Sequence, residues 1–183
     1  MHLLKSSLMS GITMCGHIHI MVTRLRSKPG QESAIIKTQV LQKCLTTTPE
    51  DGKLFRFDRL VINVIVANKN GGINFCDIPF SDDLEQFNRD YLELTQRAST
   101  ECKSSFIEDC MIIGTSAMIQ TELDCIVNQY TEKFSNPLLM WGKYRKGLFK
   151  TVLPVSFQFH HVQMDGGHAT RFLEQLQEEI RNI

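Results

Sequence analysis

Phe157-Gln158-Phe159-His160-His161-Val162-Gln163-Met164-Asp165-Gly166-Gly167 decides how this chain folds. A long strand, Phe149–His161, ends on two histidines, and Gly166-Gly167 turns the chain into a last helix. A histidine at the end of a buried strand is held in place by the sheet, and its imidazole takes up a proton near neutral pH. Asp165, four residues beyond His161 at the turn, can hold a cation or backbone donors and fix the local geometry. The glycine pair permits a tight turn that bulkier residues would obstruct. A lone strand-end histidine reads as a satisfied core residue. The whole H-H-x-x-x-D-G string on a strand, turn and helix points instead to a working site.

Outward from that stretch the pattern stays regular. On the last helix, Ala169, Phe172, Leu173, Leu176 and Ile180 fall on one face. Upstream, Asn136-Pro137 breaks the chain before Leu138-Leu139-Met140-Trp141, and Gly142–Gly147 is a polar turn. Met111–Met118 is an apolar strand, and Thr121–Val127 is expected to be a further one. Ser81-Asp82-Asp83-Leu84-Glu85 opens a helix, where Asp82 and Glu85 have capping-box spacing and suit the positive end of the helix dipole. Its Leu84, Phe87, Tyr91, Leu94 and Ala98 share a face that packs on a sheet. Strands are expected at Leu54–Phe57, Leu60–Ala67 and Ile73–Ile78, with Asn68-Lys69-Asn70-Gly71-Gly72 as a hairpin-type turn.

Residues 1–50 are less regular. Ile18, Ile20 and Val22 alternate with His17, His19 and Met21 as in a strand. Ser27-Lys28-Pro29-Gly30 is a turn signal, residues 31–45 suit a short helix, and Thr46–Gly52 reads as a loop. Strands and helices mix along the chain without strict βαβ alternation. The expected fold is therefore α+β, a two-layer sandwich with a mixed β-sheet and helices packed on it.

Composition sets the outer bounds. The 183 residues suit one domain, 1–183, with a sizeable core. Formal net charge is zero, and no basic stripe marks a nucleic-acid binder. No apolar run approaches the roughly 20 residues a membrane helix needs. The apolar start Met1–Leu8 is broken by Lys5, Ser6 and Ser7, which makes a poor secretory segment. Six cysteines are scattered without a C-x-x-C, so reduced thiols and a cytoplasmic location are expected.

H-H-x-x-x-D-G, as His160–Gly166, resembles the signature shared by chloramphenicol acetyltransferases, plant-type acyltransferases and peptide-synthetase condensation domains. Dihydrolipoyl acyltransferases carry a related H-x-x-x-D-G form. Four further stretches resemble the chloramphenicol acetyltransferases in particular: Asn136–Tyr144 ending in G-K-Y, Leu153–His161, Phe75–Ser81, and the terminal helix Arg171–Gln177. The similarity runs from about Lys53 to the C-terminus, whereas residues 1–50 look divergent or incomplete. The longer relatives build one site between two halves of a chain, so the short family fits better.

The resemblance implies a mechanism and a site. His161 would be the general base, taking the proton of a substrate hydroxyl that attacks the thioester of acetyl-CoA. Asp165 would support the site through an ion pair rather than act as base. In the family an N-terminal arginine makes that pair; here residues 1–50 hold only Arg24 and Arg26, in unmatched contexts. A Ser or Thr before the G-K-Y segment would stabilise the oxyanion. Placing Leu123-Asp124 on the family's apolar–acidic pair puts Glu122 at the donor position, and a one-residue shift puts Thr121 there. A carboxylate would repel an oxyanion, which favours Thr121; the other reading is that Thr121 is an ordinary strand residue and the donor is missing. Trp141 and Tyr144 flank the G-K-Y segment and would either line the CoA channel or pack. A homotrimer with the site at the subunit interface is implied, with a small-molecule hydroxyl acceptor such as chloramphenicol.

Other clusters point to less. On a strand His17 and His19 share a face, and Cys15 lies nearby, but no second cluster completes a zinc site, so no metal is expected. The thiols have no activating partner in the sequence.

Overall fold

Alternation along the Val- and Ile-rich runs builds one large sheet. The computed structural model describes residues 2–4, 15–23, 47–50, 53–124, 126, 136–148, 151–161 and 163–182. The strands are β1 (His2–Leu4), β2 (Cys15–Thr23), β3 (Thr47–Glu50), β4 (Lys53–Arg56), β5 (Leu60–Ala67), β6 (Ile73–Pro79), β7 (Met111–Met118), β8 (Leu138–Gly142), β9 (Arg145–Lys146) and β10 (Thr151–His160). Two helices are described, α1 (Leu84–Glu101) and α2 (Gly166–Asn182). The large sheet runs β2-β10-β8-β7-β5-β6, with β9 also on β10, and β1-β4-β3 form a small sheet apart. It is mixed: β5, β7 and β8 run parallel, while β2, β6, β9 and β10 pair antiparallel with their neighbours.

One face of that sheet carries the core. Leu60, Ile62, Cys76, Ile78, Met111, Ile113, Leu139, Trp141, Leu153, Val155, Phe157 and Phe159 are buried there. Residues two apart on a strand share a face, and so these side chains line up beneath the helices. Phe87 and Ala98 of α1 and Ala169, Phe172, Leu173 and Leu176 of α2 close the same cluster. The Phe157 and Phe172 rings lie 4.5 Å apart, which fastens α2 to β10. The α+β sandwich expected from the pattern is what forms.

Local chemistry explains most boundaries. Gly71 turns the β5–β6 hairpin at a φ of 81°, a left-handed conformation that favours glycine. The Asn68 side chain accepts from the N–H groups of Asn70 and Gly72 at 3.0 Å each. Helix α1 is capped by Asp83 rather than by Asp82. Asp83 Oδ1 accepts from Glu85 N at 2.9 Å and Gln86 N at 3.3 Å, while Ser81 Oγ accepts from Asp83 N. The helix thus starts one residue later than the Asp82–Glu85 spacing suggests. Two further segments differ from expectation. Thr47–Glu50 is a strand because it pairs with β4, and Arg145–Lys146 pairs with β10 inside the presumed turn. The helix expected at 31–45, the turn at 27–30 and the Ile180 side chain lie outside the described residues.

Candidate active site

Strand β10 delivers the two histidines into different surroundings. His160 is its last residue and is half-buried; His161 follows on a turn and is exposed. The turn is closed by two bonds: Gln163 N donates to the His160 carbonyl at 2.8 Å, and His160 N donates to Gln163 Oε1 at 3.2 Å. Met164 then buries its side chain, 3% exposed, in the core. Sheet and core therefore hold the turn from both sides, with the His161 imidazole toward solvent.

Asp165 caps α2. Its Oδ1 accepts from the His168 backbone N–H at 2.8 Å and meets His168 Nδ1 at 2.7 Å, and its carbonyl accepts from Ala169 N. These partners fill the roles the sequence left to a cation or backbone donors. Among the described residues the side chain that meets the Asp165 carboxylate is His168, a hydrogen bond that is also an ion pair only while the imidazole is protonated. Arg24 and Arg26 lie outside the described residues.

Both ends of the motif respond to acid in the same direction. The backbone N–H and then the side chain of His168 lower the pKa of Asp165. Burial, and then the nearby His161, lower that of His160. A group with a depressed folded pKa contributes stability above its unfolded pKa and loses it as pH falls through the folded value. For His160 the loss begins below about 6.5, and for Asp165 below about 3.9. Thermal melts from about pH 8 to about pH 3 should show a falling midpoint. The first part of that fall should shrink in His160→Gln; an identical curve in that variant would refute the assignment.

At the other end of the strands, Thr121–Asp124 is an irregular, bent segment after a turn at Met118–Thr121 and not the start of a strand; Cys125 and Val127 of the expected strand lie outside the described residues. Thr121 N donates to the Met118 carbonyl at 3.0 Å, and the Thr121 carbonyl accepts from Lys143 N at 2.9 Å. Arg145 contacts this segment. Its Nη2 donates to Asp124 Oδ1 at 2.7 Å and to the Leu123 carbonyl at 3.0 Å, and its Nε lies 3.9 Å from Glu122 Oε2. Both acids of this segment thus lie beside one guanidinium. Leu123 in turn lies over Gly142, where a Cβ would come within 2.9 Å of its Cδ1. Thr121 is exposed.

Trp141 and Tyr144 separate. Trp141, 5% exposed, sits in the core cluster, and its indole Nε1 has no hydrogen-bond partner among the described residues. Tyr144 is 48% exposed, with Lys146 Nζ 5.6 Å from its ring centre.

Within one chain the structure does not bring Thr121 to His161. Trp141 pairs with Ala117 on one side and Val155 on the other, so those two residues lie level. Strand β7 runs on from that level to Met118 and the Thr121 turn. Strand β10 runs the opposite way, five residues to His160. Six residues of strand span roughly 20 Å, so the two groups sit toward opposite ends of the sheet.

Residues 47–177 match the family described as chloramphenicol acetyltransferase. The chain belongs to this family. Chloramphenicol acetyltransferase 3 of Escherichia coli is 30% identical over 105 residues, covering 55% of this chain and 49% of that protein. The chain thus spans about half the length of that relative. A chloramphenicol acetyltransferase of Clostridium perfringens is 26% identical over 151 residues, covering 75% of this chain and 69% of that protein. Among solved structures, a chloramphenicol acetyltransferase superposes with a TM-score of 0.71 at 17% identity, covering 91% of this chain and 88% of that one. A probable dihydrolipoamide acetyltransferase from Listeria monocytogenes gives 0.71 at 14% identity, covering 93% and 86%. At such identities these two structures speak to the fold alone.

Chloramphenicol acetyltransferases are CoA-dependent acyltransferases, and the matched stretch runs from β3 through most of α2. Among the described residues no group of three or more His, Cys, Asp or Glu is placed to hold a metal ion. No helix among them is long and apolar enough to cross a membrane. Sequence reasoning overlooked two residues that shape the region. His168 was visible as a partner three residues beyond Asp165 on a helix start. Arg145 left no local signal, because its acids lie more than a turn of chain away.

Proposed function

We propose that this chain moves the acetyl group of acetyl-CoA to a hydroxyl of a small molecule such as chloramphenicol, with His161 as general base. The observation that carries this is the exposed His161 at the end of a buried strand, inside an intact H-H-x-x-x-D-G string. His161 takes the hydroxyl proton as the acceptor oxygen attacks the thioester carbonyl. The tetrahedral oxyanion that forms accepts a hydrogen bond from the Thr121 hydroxyl. Its collapse breaks the carbon–sulfur bond, and the thiolate of CoA takes the acceptor's proton from the imidazolium. Asp165 caps α2 and steadies the turn without touching the reaction.

The separation of Thr121 from His161 supports a site shared between copies. His161 of one protomer then faces the Thr121 turn of its neighbour, in a homotrimer. Tyr144, exposed beside Gly142 and Lys143, flanks the CoA channel in this assignment, while Trp141 packs in the core. The protein acts in the cytoplasm, as one domain over residues 1–183, without metal, nucleic acid or membrane.

Glu122 favours a second reading. A carboxylate next to the oxyanion donor suits a weak or inactive homologue that keeps the fold and binds CoA or a hydrophobic ligand. Thiol release from acetyl-CoA with chloramphenicol and a panel of alcohols separates the two. Turnover supports the transferase; CoA binding without turnover on any acceptor supports the second reading.

A further inference from the structure

Arg145 stands where one residue can control the whole 121–124 segment. It reaches three consecutive residues, Glu122, Leu123 and Asp124, from a strand pinned to β10. The guanidinium is charged at any working pH, and its 2.7 Å hydrogen bond to Asp124 fixes where that charge sits. Lys143 N donates to the Thr121 carbonyl of the same segment, and Leu123 lies over Gly142. Glu122, the residue after Thr121, has its carboxylate 3.9 Å from Arg145 Nε, close enough for charge pairing but too long for a hydrogen bond. That Nε is buried and has no hydrogen-bond partner among the described residues. A shift of Glu122 by about 1 Å would close the bond.

We propose that Arg145 is a positioning residue for the acyl-transfer site: it pins the Thr121 turn and draws the Glu122 carboxylate away from the reacting carbonyl. This rests on the assignment of Thr121 as oxyanion donor. Freed of Arg145, Glu122 would set a negative charge beside a developing negative charge and so oppose the transition state more than the ground state. The loss should therefore fall on kcat rather than KM.

The test compares the wild type, Arg145→Met, Arg145→Lys and the double variant Arg145→Met/Glu122→Gln by thiol release. Arg145→Met should lose about 30-fold in kcat, the scale of a damaged oxyanion site, with KM for acetyl-CoA within about 3-fold. Removing the carboxylate in that background should return about 5-fold or more of the loss, a rescue that a merely structural role would not give. Arg145→Lys keeps the charge and should fall between wild type and Arg145→Met, which guards against a methionine variant that folds poorly. An Arg145→Met kcat within about 3-fold of wild type, or no rescue by Glu122→Gln, overturns the proposal. If the wild type shows no turnover, the transferase reading fails by itself. Hydrogen exchange at the Lys143 amide then decides the clamp: faster exchange in Arg145→Met supports it, and unchanged exchange overturns it.

Discussion

His161→Ala should abolish acetyl transfer while leaving the fold intact. A positioned general base contributes about 10²–10⁴-fold, so the residual rate should fall to the edge of detection. The side chain is exposed on a turn whose two closing bonds use His160 and Gln163, and its removal costs little packing. Circular dichroism and the melting midpoint should match those of the wild type. The neighbouring His160 makes the informative contrast. It is half-buried and held toward its neutral form, so its loss should register mainly in stability. A thiol-release assay on both variants checks the division; equal losses of turnover would contradict it.

Phe172→Ala should be the most destabilising of the simple core changes. Phe172 and Phe157 are both fully buried, with ring centres 4.5 Å apart, at the junction of α2 and β10. Truncating such a ring costs about 3–5 kcal/mol through lost transfer energy and the cavity left behind. Domain stabilities of about 5–15 kcal/mol leave little after that. The same junction carries the motif, because Asp165 begins the helix that Phe172 anchors. Urea unfolding monitored by fluorescence of Trp141 in the core measures the loss. A midpoint close to that of the wild type would mean that α2 is not held by this contact.

The parts of the fold that were legible in the sequence are those with local causes. Leu60–Ala67 and Met111–Met118 were readable to the residue, because β-branched runs there end at polar or turn residues. The buried faces of both helices followed from helical spacing, and Phe87, Ala98, Ala169, Phe172, Leu173 and Leu176 lie where that spacing puts them. The Asp82–Glu85 spacing misled by one residue, since Ser81 and Asp83 form a competing local turn. The bent 121–124 segment was not legible, because its partners, the Arg145 guanidinium and the Lys143 amide, lie more than 20 residues away. Strand order has the same character: the parallel β7–β8 pairing depends on contacts far apart in sequence. In the candidate site the motif was visible at once and the His168 partner of Asp165 was open to the i, i+3 spacing, but the distance between Thr121 and His161 emerged only from the folded chain.

Mixing two inactive variants tests the shared site most directly. His161→Ala keeps Thr121, and Thr121→Ala keeps His161. Unfolded together and refolded at equal amounts, they should form mixed trimers in which about a quarter of the sites hold both wild-type groups. Thiol release with acetyl-CoA and a competent acceptor should then return to a substantial fraction of the wild-type rate. Mixed oligomers that form but stay as inactive as the separate variants would contradict a site built by His161 of one copy and Thr121 of the next.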